Sequence, residues 1–305
     1  FNKNVTFTPR MLLVDLKGSL KYLQEDGNLY NSNQLELNNP QNKVPDQVRG
    51  TIDWNEEIEV MESEEAPVPS YQKTLMEKGI ADGEEFNLKD TISNWPDFMY
   101  TRYHPRSINI VKDYEYRDDL STLDTFSAGA QLWNGSFFED DFCDKIRNYV
   151  EECDNCQGFQ TFFDAIDGFA GVSIKCLEYL QDEYSKSILA IPLIPPRAKN
   201  FQFADEAMSD SIRVINIAYS YAKLAEYSSL FVPLSTMGRG WRNIGEARSF
   251  PFANYEADNT YHSSSILASF LDTMSLGFRL KDAQTFLPNF CSELSIYNRR
   301  MCGAK

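Results

Sequence analysis

The chain has 305 residues, with 29 Lys and Arg against 45 Asp and Glu, for a formal net charge of −16. That balance repels the phosphates of DNA and RNA, whose affinity for proteins comes mainly from Lys and Arg, so nucleic acid is not expected as a partner, and the acidic balance is compatible with a cytosolic protein and with basic partners without establishing either. No apolar run reaches the roughly 20 residues that a membrane-spanning helix needs. The best candidate, Ser187 to Ile194, is strand-sized and stops at Pro195-Pro196, so any membrane contact is expected to be peripheral.

The chain opens on Phe1 and both ends read as cuts within a longer protein. Met11 to Val14 read as a buried strand with Asp15 at its carboxyl end. Residues 24–95 are then rich in Asn, Gln, Glu, Asp and Pro, and Thr51 to Gln72 holds seven acidic residues and no Lys or Arg. Such a stretch buries too little apolar surface to offset its ordering entropy. It is expected to be an acidic, mobile or loosely helical insertion between a first part of the fold (1–23) and the remainder (96–305). A helix is expected over Asp97 to Arg102, ended by His104-Pro105, and a strand over Ile108 to Val111. Phe142, Ile146, Tyr149 and Val150 share one helical face. Gln157 to Phe163 reads as a strand, and Val172, Cys176, Tyr179 and Leu180 as a helix face. Ile188 to Ile194 form a second buried strand. Ile212, Ile215, Tyr219 and Ala222 mark a further helix, Leu230 to Val232 a short strand, and Ile266 to Met274 a last helix. Continuously apolar strands alternating with helices indicate an α/β fold, with a parallel sheet covered by helices on both faces.

Metal and catalytic signals are sparse. Cys153-Asp154-Asn155-Cys156 has half-zinc-site spacing, but the only histidines are His104 and His262, and neither makes a second pair at metal spacing. The six cysteines are therefore expected to be reduced thiols. His104, beside Pro105, reads as a helix-end residue, and His262 as a polar helix residue. No catalytic residue is assigned.

Three segments belong at the carboxyl edge of the sheet, where open α/β folds bind ligands. Thr8-Pro9-Arg10-Met11-Leu12-Leu13-Val14-Asp15-Leu16-Lys17-Gly18 resembles the tubulin run Val-Pro-Arg-Ala-(apolar)-(apolar)-Val-Asp-Leu-Glu-Pro-Gly, with Lys17 at the Glu position. Ser127-Ala128-Gly129-Ala130-Gln131-Leu132-Trp133-Asn134-Gly135 resembles the tubulin loop Gly-Ala-Gly-Asn-Asn-Trp-Ala-Lys-Gly. Gln157-Gly158-Phe159-Gln160 matches the strand that leads to tubulin's Gly-Gly-Gly-Thr-Gly-Ser-Gly phosphate loop. In place of that loop stand Ile166-Asp167-Gly168-Phe169-Ala170-Gly171-Val172. Its Thr position is filled by an aromatic ring, and Asp164 and Asp167 bring carboxylates toward the place of the phosphates. The Cys-Asp-x-x-Gln-Gly-Phe-Gln run, the Asp-Gly-Phe-Ala-Gly run and Ser228-Ser229-Leu230-Phe231-Val232-Pro233-Leu234-Ser235 together resemble the Misato family within the tubulin superfamily.

That resemblance implies a tubulin/FtsZ-like Rossmann-type fold. It implies a role in mitochondrial distribution, morphology and inheritance, with links to microtubule and spindle organisation. The implied partners are tubulin, microtubule-associated machinery and the cytosolic chaperonin. The implied location is the cytoplasm and the outer surface of the mitochondrion. Its vestigial nucleotide site would comprise Asp15, Lys17, Ser127, Ala128, Gly129, Asp167, Gly168, Phe169, Ala170 and Gly171. No cofactor is assigned with certainty, and GTP or GDP is the ligand class the resemblance implies. The altered loop leads to the expectation of a non-catalytic protein. The alternative is a GTP/GDP-binding switch or weak GTPase, because the glycines leave backbone that could approach a phosphate. Tubulin's trans-acting acid has no match near Arg279; Asp282 is the only acid close by.

Overall fold

A computed structural model of the chain describes residues 8–21, 23, 25, 27, 29, 71–73, 92, 94–98, 101, 103–116, 122–195, 204–237, 247–257, 259–280, 282 and 285–303. Most of segment 24–95, and with it the expectation about its order, lies outside the described residues. The chain divides into two compact units, Phe1–Tyr116 and Arg117–Lys305.

In the first unit, strands β1 (Leu13–Lys17) and β2 (Ile108–Glu115) pair in parallel, from Leu13 against Ile108 to Leu16 against Val111. β1 starts two residues later than its apolar run suggests and carries Asp15 inside the ladder, because strand pairing uses backbone groups that every residue supplies. Leu20, Leu23, Tyr103, Ile108 and Ile110 form the core, with Trp95 edge-on to Tyr103 at 6.2 Å. The described parts of 24–95 join this packing. Gln72 is buried and its Nε2 donates to the Asp97 carbonyl at 3.0 Å. Asn94 Nδ2 donates to the Ser19 carbonyl at 2.7 Å. The helix expected from Asp97 is described only at its start, as a 3-10 turn, Trp95–Phe98. Its carboxylate turns back to accept the Asn94 N–H at 2.9 Å. A second such turn, Pro105–Ser107, is capped by His104, whose Nδ1 accepts the Arg106 N–H at 3.1 Å.

The second unit is built from α1 (Phe126–Leu132), α2 (Cys143–Glu151), β3 (Gly158–Asp164), α3 (Phe169–Tyr184), β4 (Ser187–Leu193), α4 (Ala204–Tyr227), β5 (Leu230–Phe231), α5 (Thr260–Arg279) and α6 (Leu287–Leu294). A π-helical turn, Phe137–Phe142, leads into α2. The sheet order is β3-β4-β5, all parallel. Leu189 and Ile191 of β4 pack with Leu230, Val232 and Leu234 under Phe278 of α5 and Leu287 and Cys291 of α6. Ile188 and Ala190 alternate to the other face, where α3 packs on β3 and β4. Both faces are therefore covered by helices, the arrangement the apolar strands imply.

Three elements depart from the sequence expectation. Residues 126–132 form helix α1, where only a loop resemblance was visible; Thr125 caps it, its hydroxyl accepting the Ala128 N–H at 3.3 Å. α6 follows the helix expected to be last, with Pro288 in its first turn, where a missing N–H costs nothing. The largest departure is the rotation of α4. Its buried face holds Arg213, Asn216, Ile217, Ser220 and Leu224, while Ile215 and Tyr219 are 52% and 56% exposed. Polar side chains won the inner face because each finds an acceptor or donor there: Arg213 Nη2 donates to the Pro195 carbonyl at 3.1 Å, and Ser220 Oγ to the Asn216 carbonyl at 2.7 Å.

Candidate functional site

Strand β3 ends at Asp164, and a tight turn leads into α3 at Phe169. A helix start of this kind is an anion site whenever its first N–H groups are free. Here they are engaged within the protein. Gly168 N–H donates to the Leu123 carbonyl at 2.8 Å, Ala170 N–H to the Asp167 carbonyl at 3.2 Å, and Gly171 N–H to the Gly168 carbonyl at 2.9 Å. Phe169 N–H donates to Asp167 Oδ1 at 2.9 Å. The carboxylate of Asp167 thus lies where an anion would bind.

The glycines serve packing between helices. A Cβ on Gly129 of α1 would lie 1.7 Å from the Gly168 carbonyl oxygen, and one on Gly171 would lie 2.0 Å from the Phe126 carbonyl oxygen. The backbones of α1 and α3 therefore touch, and the chain itself fills the space beside the loop. Asn216 of α4 holds this closure. Its Oδ1 accepts the Phe126 N–H at 2.9 Å, and its Nδ2 donates to the carbonyls of Asp124 at 2.7 Å and Ile166 at 2.8 Å. One amide side chain thus ties the segment before α1 to the turn before α3.

The electrostatics run against a bound phosphate. Burial pushes the Asp167 carboxyl up to about 7, the neighbouring charges of Asp164 and Asp124 push the same way, and the hydrogen bond from Phe169 N–H pulls it down. A polyphosphate would add charge to a place where one carboxylate already resists ionising. With its N–H donors engaged, its glycines closed over and its carboxylates in place, this loop does not fit a nucleotide phosphate.

Of the ten candidate residues, Ser127, Ala128 and Gly129 on α1 and Asp167 to Gly171 at the start of α3 meet in the second unit. Ser127 is exposed, whereas Gly129, Gly168, Ala170 and Gly171 are buried. Asp15 and Lys17 belong to the first unit. Asp15 Oδ2 accepts the Trp95 Nε1–H at 2.7 Å and its Oδ1 accepts the Leu16 N–H, while the exposed Lys17 faces Glu115 at 4.0 Å. Arg279, in the last turn of α5, pairs with Asp272, and Asp282 is exposed beyond it. His262 sits in the first turn of α5, its Nδ1 accepting the Glu256 N–H at 3.3 Å. Among the described residues no group of three or more His, Cys, Asp or Glu could hold a metal ion, and all six cysteines are free thiols.

Sequence reasoning missed Leu123, Thr125 and Asn216. Leu123 and Thr125 carry no motif. Asn216 had one available signal, a polar amide between Ile215 and Ile217.

The family model described as a tubulin domain matches residues 87–280, and the one described as Misato Segment II tubulin-like domain matches residues 2–77. The chain is 39% identical to "Protein misato" of Drosophila melanogaster over 98% of its own length and 54% of that protein. It is 31% identical to "Protein misato homolog 1" of Homo sapiens over 98% of its length and 54% of the relative. With "Protein dml1" of Aspergillus clavatus it shares 29% identity over 94% and 52%. The chain thus spans about half the length of these relatives.

Proposed function

The chain belongs to the Misato family of tubulin-like proteins, and from that premise we propose that it is a tubulin-fold protein that has given up GTP turnover and works through protein partners. The observation that carries this reading is the closure of the loop before α3, where Asp167 and the Leu123 carbonyl take the N–H groups that a phosphate would need. The process it serves is mitochondrial distribution, morphology and inheritance, with links to microtubules and the spindle, as the family resemblance implies. Its partners are tubulin or microtubule-associated machinery and the folding chaperonin. It works in the cytoplasm and peripherally on the mitochondrial outer surface; in support, no helix among the described residues is long and apolar enough to cross a membrane.

The test is nucleotide content. Full-length protein is purified gently and denatured, and the supernatant is run on an ion-exchange column beside a tubulin control. The expected result is no stoichiometric nucleotide and no phosphate release from GTP above buffer. Stoichiometric GTP or GDP without turnover would replace this reading with that of a nucleotide-sensing switch, and turnover abolished by Asp167→Ala would make the protein a GTPase. For the location, the full-length protein should co-sediment with mitochondria and be released by alkaline carbonate; resistance to carbonate would refute peripheral attachment.

A further inference from the structure

The connection between α2 and β3 carries two thiols outside the loop before α3. Cys153 follows the end of α2, Cys156 lies two residues before β3, and both are half-buried. They are the one pair among the six cysteines with only two residues between them. The chain bends sharply at both of those residues, Asp154 and Asn155. A disulfide needs its two Cα atoms within about 7 Å, the span that a four-residue chain reversal closes. The Cys153 thiol turns back along α2 and donates to the Tyr149 carbonyl at 3.2 Å, in the last turn, where a helix leaves its carbonyls without helical partners. The Cys156 sulfur lies 4.0 Å from the Gly158 carbonyl oxygen.

The residue after Cys156 holds a distant helix. Gln157 Oε1 accepts the Leu287 N–H at 3.0 Å, across 130 residues of chain. α6 has no local cap, since Phe286 makes no side-chain cap hydrogen bond and Pro288 in the first turn has no N–H. Gln157 is therefore the cap of α6. One position further on, the backbone is wedged: a Cβ on Gly158 would lie 2.2 Å from the Ser187 carbonyl oxygen and 3.0 Å from Leu287 Cδ2. The start of β3 is fixed by this contact and by its pairing with Ser187. A ring closed across residues 153–156 therefore displaces Cys156 and Gln157 rather than the strand.

We propose that Cys153 and Cys156 are a reversible dithiol–disulfide site, oxidised by a peroxide, and that closing the bond withdraws the Gln157 cap from α6. Glu151, Glu152 and Asp154 are exposed around the pair, and this charge disfavours an anionic oxidant such as glutathione disulfide. Hydrogen peroxide is small and neutral. One cysteine, as its thiolate, attacks the peroxide: an S–O bond forms, the O–O bond breaks, and the hydroxide that leaves takes a proton to become water. The second sulfur then attacks the sulfenic sulfur: the S–S bond forms, the S–O bond breaks, and a second water leaves. Two electrons pass from the two thiols to the peroxide. A dithiol reductant reverses the bond by exchange, as befits the transient, redox-sensing disulfides of reducing compartments. The site is independent of the loss of GTP turnover, because the nucleotide assay reads the loop before α3 and neither result moves the other.

The experiment treats full-length protein with hydrogen peroxide, blocks the remaining thiols with iodoacetamide and maps peptides by mass. The expected result is a peptide spanning 153–156 that has lost two hydrogen atoms and takes no alkyl group, and that regains both thiols in dithiothreitol. In the oxidised protein the Leu287 amide should exchange hydrogen at least about 3-fold faster than in the reduced protein. Cys153→Ser keeps a hydroxyl to donate to the Tyr149 carbonyl but cannot form the bond, so peroxide should leave its Leu287 exchange unchanged. Alkylation of both thiols after peroxide would overturn the proposal. So would a sulfinic acid at either position, or a bond joining Cys291 to Cys302 or two molecules in its place. Equal Leu287 exchange in the oxidised and reduced parent, or a peroxide-driven change in Cys153→Ser, would overturn it as well. The parent protein alone decides the mass and exchange outcomes, so the test stands if the variant fails to fold.

Discussion

Replacing Asp167 with Asn should stabilise the protein at alkaline pH and leave it unchanged in acid. In the folded protein, burial and then the charges of Asp164 and Asp124 push the Asp167 carboxyl up to about 7, whereas in the unfolded chain it ionises near 3.9. Between those values the folded state holds a proton that the unfolded state has lost. Stability from this group is therefore complete below about pH 4 and falls as pH rises through 7. A shift of about three units corresponds to roughly 4 kcal/mol at most, and solvent at this partly buried position lowers the figure toward about 2 kcal/mol. Asn keeps an oxygen to accept the Phe169 N–H and carries no charge. Urea unfolding of parent and Asp167→Asn at pH 4 and pH 8 should show curves that differ by no more than about 0.5 kcal/mol at pH 4. At pH 8 the variant should be more stable by about 2–4 kcal/mol. A variant less stable than the parent at pH 8, or an offset equal at both pH values, would refute the account of Asp167 as a half-buried carboxylate in a closed loop.

Gly171→Ala places a methyl 2.0 Å from the Phe126 carbonyl oxygen, so α1 and α3 must part; a loss of about 1–3 kcal/mol is expected in urea unfolding, and unchanged stability would deny the contact. Asn216→Ala removes three hydrogen bonds at once and should cost about 3 kcal/mol. The same change should speed amide exchange at Gly168 and Phe126, and unaltered exchange there would argue against the tie. Burial pushes the Cys176 thiol up to about 12 and the Cys291 thiol up to about 11, and raises that of Cys143. Iodoacetamide at pH 8 should therefore modify the half-exposed Cys153 and Cys156 first, read by peptide mass mapping; early labelling of Cys291 would contradict the packing under β4.

Much of the second unit was legible from periodicity. The apolar run at Ile188 to Ile194 marked β4, and Val172 to Leu180 marked α3, because buried strands and half-buried helices impose different spacings on apolar residues. The family likeness rested on short runs such as Gln157 to Gln160 that lead into the loop. α1 was hidden because its helix depends on the Thr125 cap and on contact with α3 more than on any apolar stripe of its own. The candidate residues were readable one by one, but their condition was not. That Gly168 and Gly171 are glycines follows from the sequence; that their space is taken by α1 does not.

The amino-acid sequence alone determined the class of fold, the order of its main strands and helices apart from α1 and α6, and the replacement of a Gly-rich phosphate loop by Asp167-Gly168-Phe169-Ala170-Gly171. The tertiary structure alone decided which face of α4 is inside and what fills the loop. Helical periodicity sets the angles between side chains on one helix, but not which neighbour each angle meets. Asn216 bonds to Phe126 across 90 residues of chain, and that choice turns Ile215 and Tyr219 outward and closes the loop before α3.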